Sequence, residues 1–179
     1  MLSIDALGPD GVMLSGARAF LRFEDGDDDA SLEPILLAAI GHAERFTGQL
    51  LLRRGTREIL SAGSGWQTLS AFPVVSVTGV TGIPAEGPRF VLASGAWEAK
   101  IGSRGEAYLR VLQPGVAGRV EVAAQAGMAA SWSELPEVLR HAVLRLVGHL
   151  HTHRDAGEDA GPPVAVTALL RPWRRMWLL

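Results

Sequence analysis

The chain has 179 residues, a formal net charge of −2, 47% hydrophobic and 20% charged residues: a globular composition, long enough for one domain with a small inserted lobe, without the global basic field that nucleic-acid binding uses. It has no cysteine, which excludes disulfides and thiolate metal sites. Its longest strongly apolar run, Ile35 to Ile40, is far short of the roughly 20 residues that span a bilayer.

The start of the chain lacks the basic and apolar blocks of a signal peptide, so a soluble chain made inside the cell is expected. Charge is unevenly spread. Residues 1–52 hold nine acids, five of them in Glu24, Asp25, Asp27, Asp28 and Asp29, against Arg18, Arg22 and Arg45. The end of the chain holds Arg171, Arg174 and Arg175 without an acid. An acidic front and a basic tail suit head-to-tail contact between copies or a docking tail; ordinary surface charge is the plainer reading.

In chain order, the spacing first predicts a short helix over Ser15 to Arg22. The acidic stretch Glu24–Asp29 interrupts it. A second helix is expected from Asp29 or Ser31, either of which caps it, with Leu32, Ile35, Leu36, Ala39, Ile40, Ala43 and Phe46 on one face. Gly48 is the expected stop. Thr56–Ser61, Val74–Val80, Arg89–Ala93, Ala107–Leu112 and Arg119–Ala123 read as short strands separated by Gly and Pro, and so as a small antiparallel lobe.

A long helix follows. Ser133 is its expected cap, Pro136 lies in its first turn, and Leu135, Leu139, Ala142, Val143, Leu146 and Leu150 form its apolar stripe. Asp155 to Pro163 reads as a linker, and Val164–Leu170 as a short helix limited by Pro172. The expected fold is α+β: N-terminal helices (1–52) and the long helix (131–155) packed as a bundle, an inserted β lobe (53–130), and a linker with an extended C-terminal tail (156–179).

Few residues point to catalysis. His149, His151 and His153 spell a metal-like run, but at about 100° per residue a helix puts His149 and His153 on one side and His151 nearly opposite. A zinc site on His149 and His153 would need a further ligand, and the Glu of a metalloprotease helix is missing between them. The stretch from Glu24 to Asp29 lacks the ligand spacing of a calcium loop. Ser64, in Gly63-Ser64-Gly65, lacks the nucleophile-elbow pattern, and no phosphate-binding glycine loop is present. No enzymatic activity, metal or cofactor is expected. The enzymatic alternative is a metal-dependent hydrolase using His149 and His153.

The C-terminal segment Leu169, Leu170, Arg171, Trp173, Arg174, Arg175, Met176, Trp177, Leu178 and Leu179 combines the residue types enriched at interface centres. It is expected either to dock on a partner or to fold back on its own domain.

Taken together, the order of these phrases resembles the head–tail connector (adaptor) proteins of long-tailed bacteriophages and gene transfer agents. The similarity runs from about Ser15 to Trp173. It is carried by Ala19-Phe20-Leu21-Arg22, by Ile35–Ile40 followed by Ala43-Glu44-Arg45-Phe46-Thr47-Gly48, by Pro73–Val80, by Leu135–Val143, by Leu146–His149, and by Val166–Arg174. His151 and His153 depart from the family pattern, and Arg175–Leu179 extend beyond it.

The resemblance implies a structural ring, usually dodecameric, that sits in the particle neck, is assembled in the bacterial cytoplasm, and binds no membrane. Its implied partners are the portal protein, a stopper or other tail or neck protein, and double-stranded DNA that passes through the lumen without sequence-specific binding. Another neck protein, a stopper or a tail terminator, is the alternative within this class. The tail residues map onto the family's portal-engaging segment. Asp25, Asp27, Asp28 and Asp29 are candidates for one side of the contact between copies, and Arg53, Arg54 and Arg57 for the other.

Overall fold

The computed structural model describes residues 1–23, 29–153 and 162–175. It is α+β and divides into two units, one of Met1–Ala6 with Leu52–Met128 and one of Leu7–Leu51 with Ala129–Leu179.

The first unit is antiparallel β. Strands β1 (Leu2–Ile4), β2 (Arg54–Ser61), β4 (Val74–Pro84), β5 (Phe90–Val91) and β8 (Ala117–Ala126) form a five-stranded sheet in the order β1-β2-β8-β4-β5. Strands β3 (Gln67–Thr68), β6 (Trp97–Ile101) and β7 (Ala107–Val111) form a second sheet in the order β3-β7-β6. Alternation sets the inward faces. Val120, Val122, Ala124 and Ala126 of β8 are buried, as are Ala107, Leu109 and Val111 of β7.

Glu58 on β2 is a buried charge, 6% exposed. Its carboxylate accepts from the backbone N–H of Ser70 at 2.8 Å and from the Ser70 hydroxyl at 2.5 Å, tying β2 to the segment after β3. Glu58→Ala removes the acceptor for both donors. Unfolding by urea is expected to show a loss of about 2 kcal/mol, the range for charged hydrogen bonds, with Glu58→Gln recovering part of it.

The second unit is helical: α1 (Gly11–Leu21), α2 (Asp29–Thr47), α3 (Glu137–Thr152) and α4 (Val164–Leu170). The stripes of α2 and α3 pack on each other, α1 touches both, and α4 lies on both. Leu32, Leu36, Ala39, Ile40 and Ala43 of α2 are buried, as are Leu139, Ala142, Val143, Leu146 and Val147 of α3. Each fully buried leucine removes enough apolar surface from water to contribute about 2–3 kcal/mol.

Several boundaries differ from expectation for local reasons. Residues 1–52 are not wholly helical, because β1 pairs with β2 from Leu2↔Glu58 to Ile4↔Thr56 and joins the β unit. A three-residue strand is too short to show periodicity. Helix α1 starts at Gly11, four residues before the expected Ser15, because Asp10 caps it by accepting the Met13 N–H at 2.7 Å. Ser133 does not cap α3. It lies in a 3₁₀ turn, Trp132–Glu134, and α3 begins after Pro136. Gly48, with φ +68°, stops α2 as expected, its N–H reaching the Glu44 carbonyl at 2.8 Å.

Candidate docking surfaces

The described part of the C-terminal segment folds back on the helical unit. Leu170 and Val166 are buried, Leu169 and Trp173 are partly covered, and Arg171 and Arg174 are exposed. Three contacts hold the end of this segment to the C-terminus of α2. The Arg175 N–H donates to the Thr47 carbonyl at 2.7 Å, the Gln49 side-chain amide donates to the Trp173 carbonyl, and the Arg174 guanidinium lies 5.9 Å from the Phe46 ring centre. The first of these uses a carbonyl that the end of α2 leaves without an intrahelical partner. The expected extended tail is therefore not extended as far as Arg175. Its apolar residues complete the unit's own core, and Arg171 and Arg174 face outward while Arg175 is half-buried. Met176, Trp177, Leu178 and Leu179 lie outside the described residues.

The candidate contacts between copies are placed unevenly. Asp25, Asp27 and Asp28 lie outside the described residues, and Asp29 opens α2. On β2, Arg57 is already paired with Asp5 at 2.8 Å, both side chains about half exposed. Arg54 is engaged within the chain. Arg53 is exposed. Exposed ion pairs contribute little stability, so the Asp5–Arg57 pair orients the arginine more than it holds the fold.

The histidines follow helix geometry. The rings of His149 and His153 lie 4.3 Å apart, while His151 packs edge-on to Phe23 at 5.1 Å. Among the described residues, no group of three or more His, Cys, Asp and Glu is placed to hold a metal ion.

Two further features are absent from the sequence-derived candidates. In the helical unit, a groove of about 580 Å³ is lined by Val12, Ala19, Trp132, Leu144, Glu137 and Arg140. The Arg140 Nε is buried there without a hydrogen-bond partner among the described residues.

In the β unit, the outward face of the three-stranded sheet carries Trp66, Thr68, Glu98, Lys100, Tyr108 and Arg110. Glu98 stands opposite Arg110 and Lys100 opposite Tyr108, while Thr68 stands opposite Tyr108 on the other side. Trp66 is 37% exposed. The Lys100 ammonium lies 4.6 Å and the Arg110 guanidinium 4.7 Å from its ring centre. Arg110 also grips Glu98, with nitrogens at 2.9 and 2.7 Å from one carboxylate oxygen. The alternation Trp97-Glu98-Ala99-Lys100-Ile101 was the available sequence signal for β6. Nothing in the linear order brings Trp66 to Lys100.

No helix among the described residues is long and apolar enough to cross a membrane. No protein-family model matches the chain, and no curated protein matches it. Solved structures do match. The chain is 31% identical to a chain in the neck of an empty gene transfer agent (GTA) particle computed with C6 symmetry, with a TM-score of 0.79. It is 32% identical to a chain in the virion of a native GTA particle, with a TM-score of 0.78. It is 33% identical to a chain in the neck of a native GTA particle computed with C12 symmetry, with a TM-score of 0.75. Each match covers 100% of this chain and 97% of the other. The chain belongs to the family of gene transfer agent neck proteins.

Proposed function

We propose that this chain is the head–tail connector, or adaptor, of a phage-like particle: a structural protein that forms a dodecameric ring between portal and tail and extends the DNA channel. The observation that carries this reading is the end-to-end match to neck chains, in structures computed with C6 and C12 symmetry. Both symmetries suit a closed ring, which is built from head-to-tail contacts between unlike surfaces of neighbouring copies. In this reading α1 to α3 form the helical bundle of each subunit and the β unit is the inserted lobe. The ring is a neck component assembled in the bacterial cytoplasm, and it has no catalytic role.

The portal contact is made by the C-terminal segment. Arg171 and Arg174, the exposed positions of its described part, are its available charges, and Met176–Leu179 supply apolar contact. Many weak tails then act together through high effective concentration. The tail-side partner is a stopper or another neck protein, and double-stranded DNA passes through the lumen without sequence-specific readout.

The test is electron microscopy of particles carrying a tagged copy of this chain. The expected result is tag density at the portal vertex, twelve per particle in keeping with C12 symmetry. Tag density on the capsid faces or the distal tail would refute the reading.

A further inference from the structure

The outward face of the β3-β7-β6 sheet is tied by its own cross-strand contacts and still leaves Trp66 and Tyr108 exposed. Its buried partners, Ala107, Leu109 and Val111, point the other way. Outside, a partly exposed indole is held by two cations, with Tyr108 beside them at 39% exposure. Trp, Tyr and Arg dominate the energetics of protein interfaces, and a side chain already fixed loses little entropy when a partner covers it.

The charges on this face are Lys100 and Arg110 against Glu98, a net +1. Arg110 is bound to Glu98. Lys100 has no carboxylate within ion-pair distance among the described residues, and its ammonium faces the ring and the solvent. The adjoining turn adds Arg104 and Glu106, which offset each other. The net charge is too small to hold a duplex by counterion release, and stacked base pairs offer no face to an indole. The platform fits an acidic peptide segment.

We infer that this platform receives the acidic stretch Glu24–Asp29 of a neighbouring copy, forming the cationic side of the ring contact in place of the β2 arginines. The inference rests on the ring reading above. Three observations support it. The acidic stretch carries five acids and no base. It belongs to the helical unit's sequence and the platform to the β unit, so the two are unlike surfaces, as a ring contact requires. Of the three rival arginines, Arg57 is already paired with Asp5 and Arg54 is engaged within the chain, which leaves the exposed Arg53 as the competitor that the cross-link below separates from Lys100. Covering a cation–π cluster also strengthens it, because the attraction grows as water leaves.

Because the chain has no cysteine, cross-linking gives a direct test in assembled particles. Asp27→Cys with Lys100→Cys, treated with a short bismaleimide, is expected to give a ladder of dimers and higher multimers on a denaturing gel. Asp27→Cys with Arg53→Cys is expected to give none. A ladder from the Arg53 pair alone, or from neither pair, would overturn the inference.

In a second arm, Lys100→Glu with Arg110→Glu is expected to lower neck incorporation at least about tenfold, the effect of one lost charge contact repeated around the ring. Adding Asp25→Lys, Asp27→Lys and Asp28→Lys to the same chain is expected to restore it. Soluble protein with an unchanged thermal melt separates this from misfolding. Failure of the swap to rescue, in a variant that melts normally, also counts against the inference. Wild-type particles whose neck lacks this chain would sink the ring reading itself, which is a different result from a ring that tolerates the charge reversal.

Discussion

Replacing Gly127 with Ala is expected to destabilise the β unit by about 3–5 kcal/mol, at the upper end of single-substitution effects. Gly127 has φ +141°, a backbone conformation that side chains rarely adopt. Its N–H donates to the Pro73 carbonyl at 2.8 Å. A Cβ added there would overlap the backbone of Leu52 and Arg53. That obstacle is main chain at the entrance to β2, where Arg54 pairs with Ala126, so no rotamer change relieves it. Relief would require β2 to move away from β8, the central strand of the five-stranded sheet. Gly118→Ala is the control, because a Cβ there meets nothing within 4 Å. Urea unfolding of the two variants should separate them by at least about 2 kcal/mol, set against the 5–15 kcal/mol that holds a typical domain together. A Gly127→Ala midpoint equal to that of Gly118→Ala would show that the β2–β8 entrance yields easily.

How much of this was legible in the sequence depended on the length of each element. Helix α4 lies at Val164–Leu170, as expected with Pro172 limiting it, and α2 and α3 follow their apolar stripes. Long periodic segments carry many repeats of the same signal. The histidines were resolved by rotation per residue alone, since His149 meets His153 and His151 turns away to Phe23. Strand β4 runs on to Pro84, beyond the expected Val80, because glycines at 79 and 82 blur the alternation and register shifts interrupt it. Strands β1 and β3 were too short to read. The tail was ambiguous for a chemical reason: Leu170 and Val166 would look the same whether bound for a partner or for their own core, and only packing decides between the two. The Trp66 platform was hidden because its residues come from three strands and meet only through pairing.

Two truncations separate the structural part of the C-terminus from its proposed docking part. Ending the chain after Arg175 keeps Val166 and Leu170 in the core, the Trp173 carbonyl on Gln49 and the Arg175 N–H on Thr47. Stability is expected to stay within about 0.5 kcal/mol of the full chain, as for changes away from packed groups, while incorporation into particle necks is lost. Ending it after Pro163 strips two buried side chains from α2 and α3, each contributing about 1.5–3 kcal/mol. It also frees the Thr47 carbonyl at the end of α2. A loss of about 3–6 kcal/mol is expected, enough to leave much of a marginal domain unfolded. The measurements are a chemical melt of each purified chain and a count of neck-bearing particles in cells that produce it. If the chain ending at Arg175 still builds normal necks, the portal contact lies on residues before Met176, and the exposed Arg171 and Arg174 become its centre. If that chain melts as early as the one ending at Pro163, Met176–Leu179 serve the subunit's own fold and the docking role passes elsewhere.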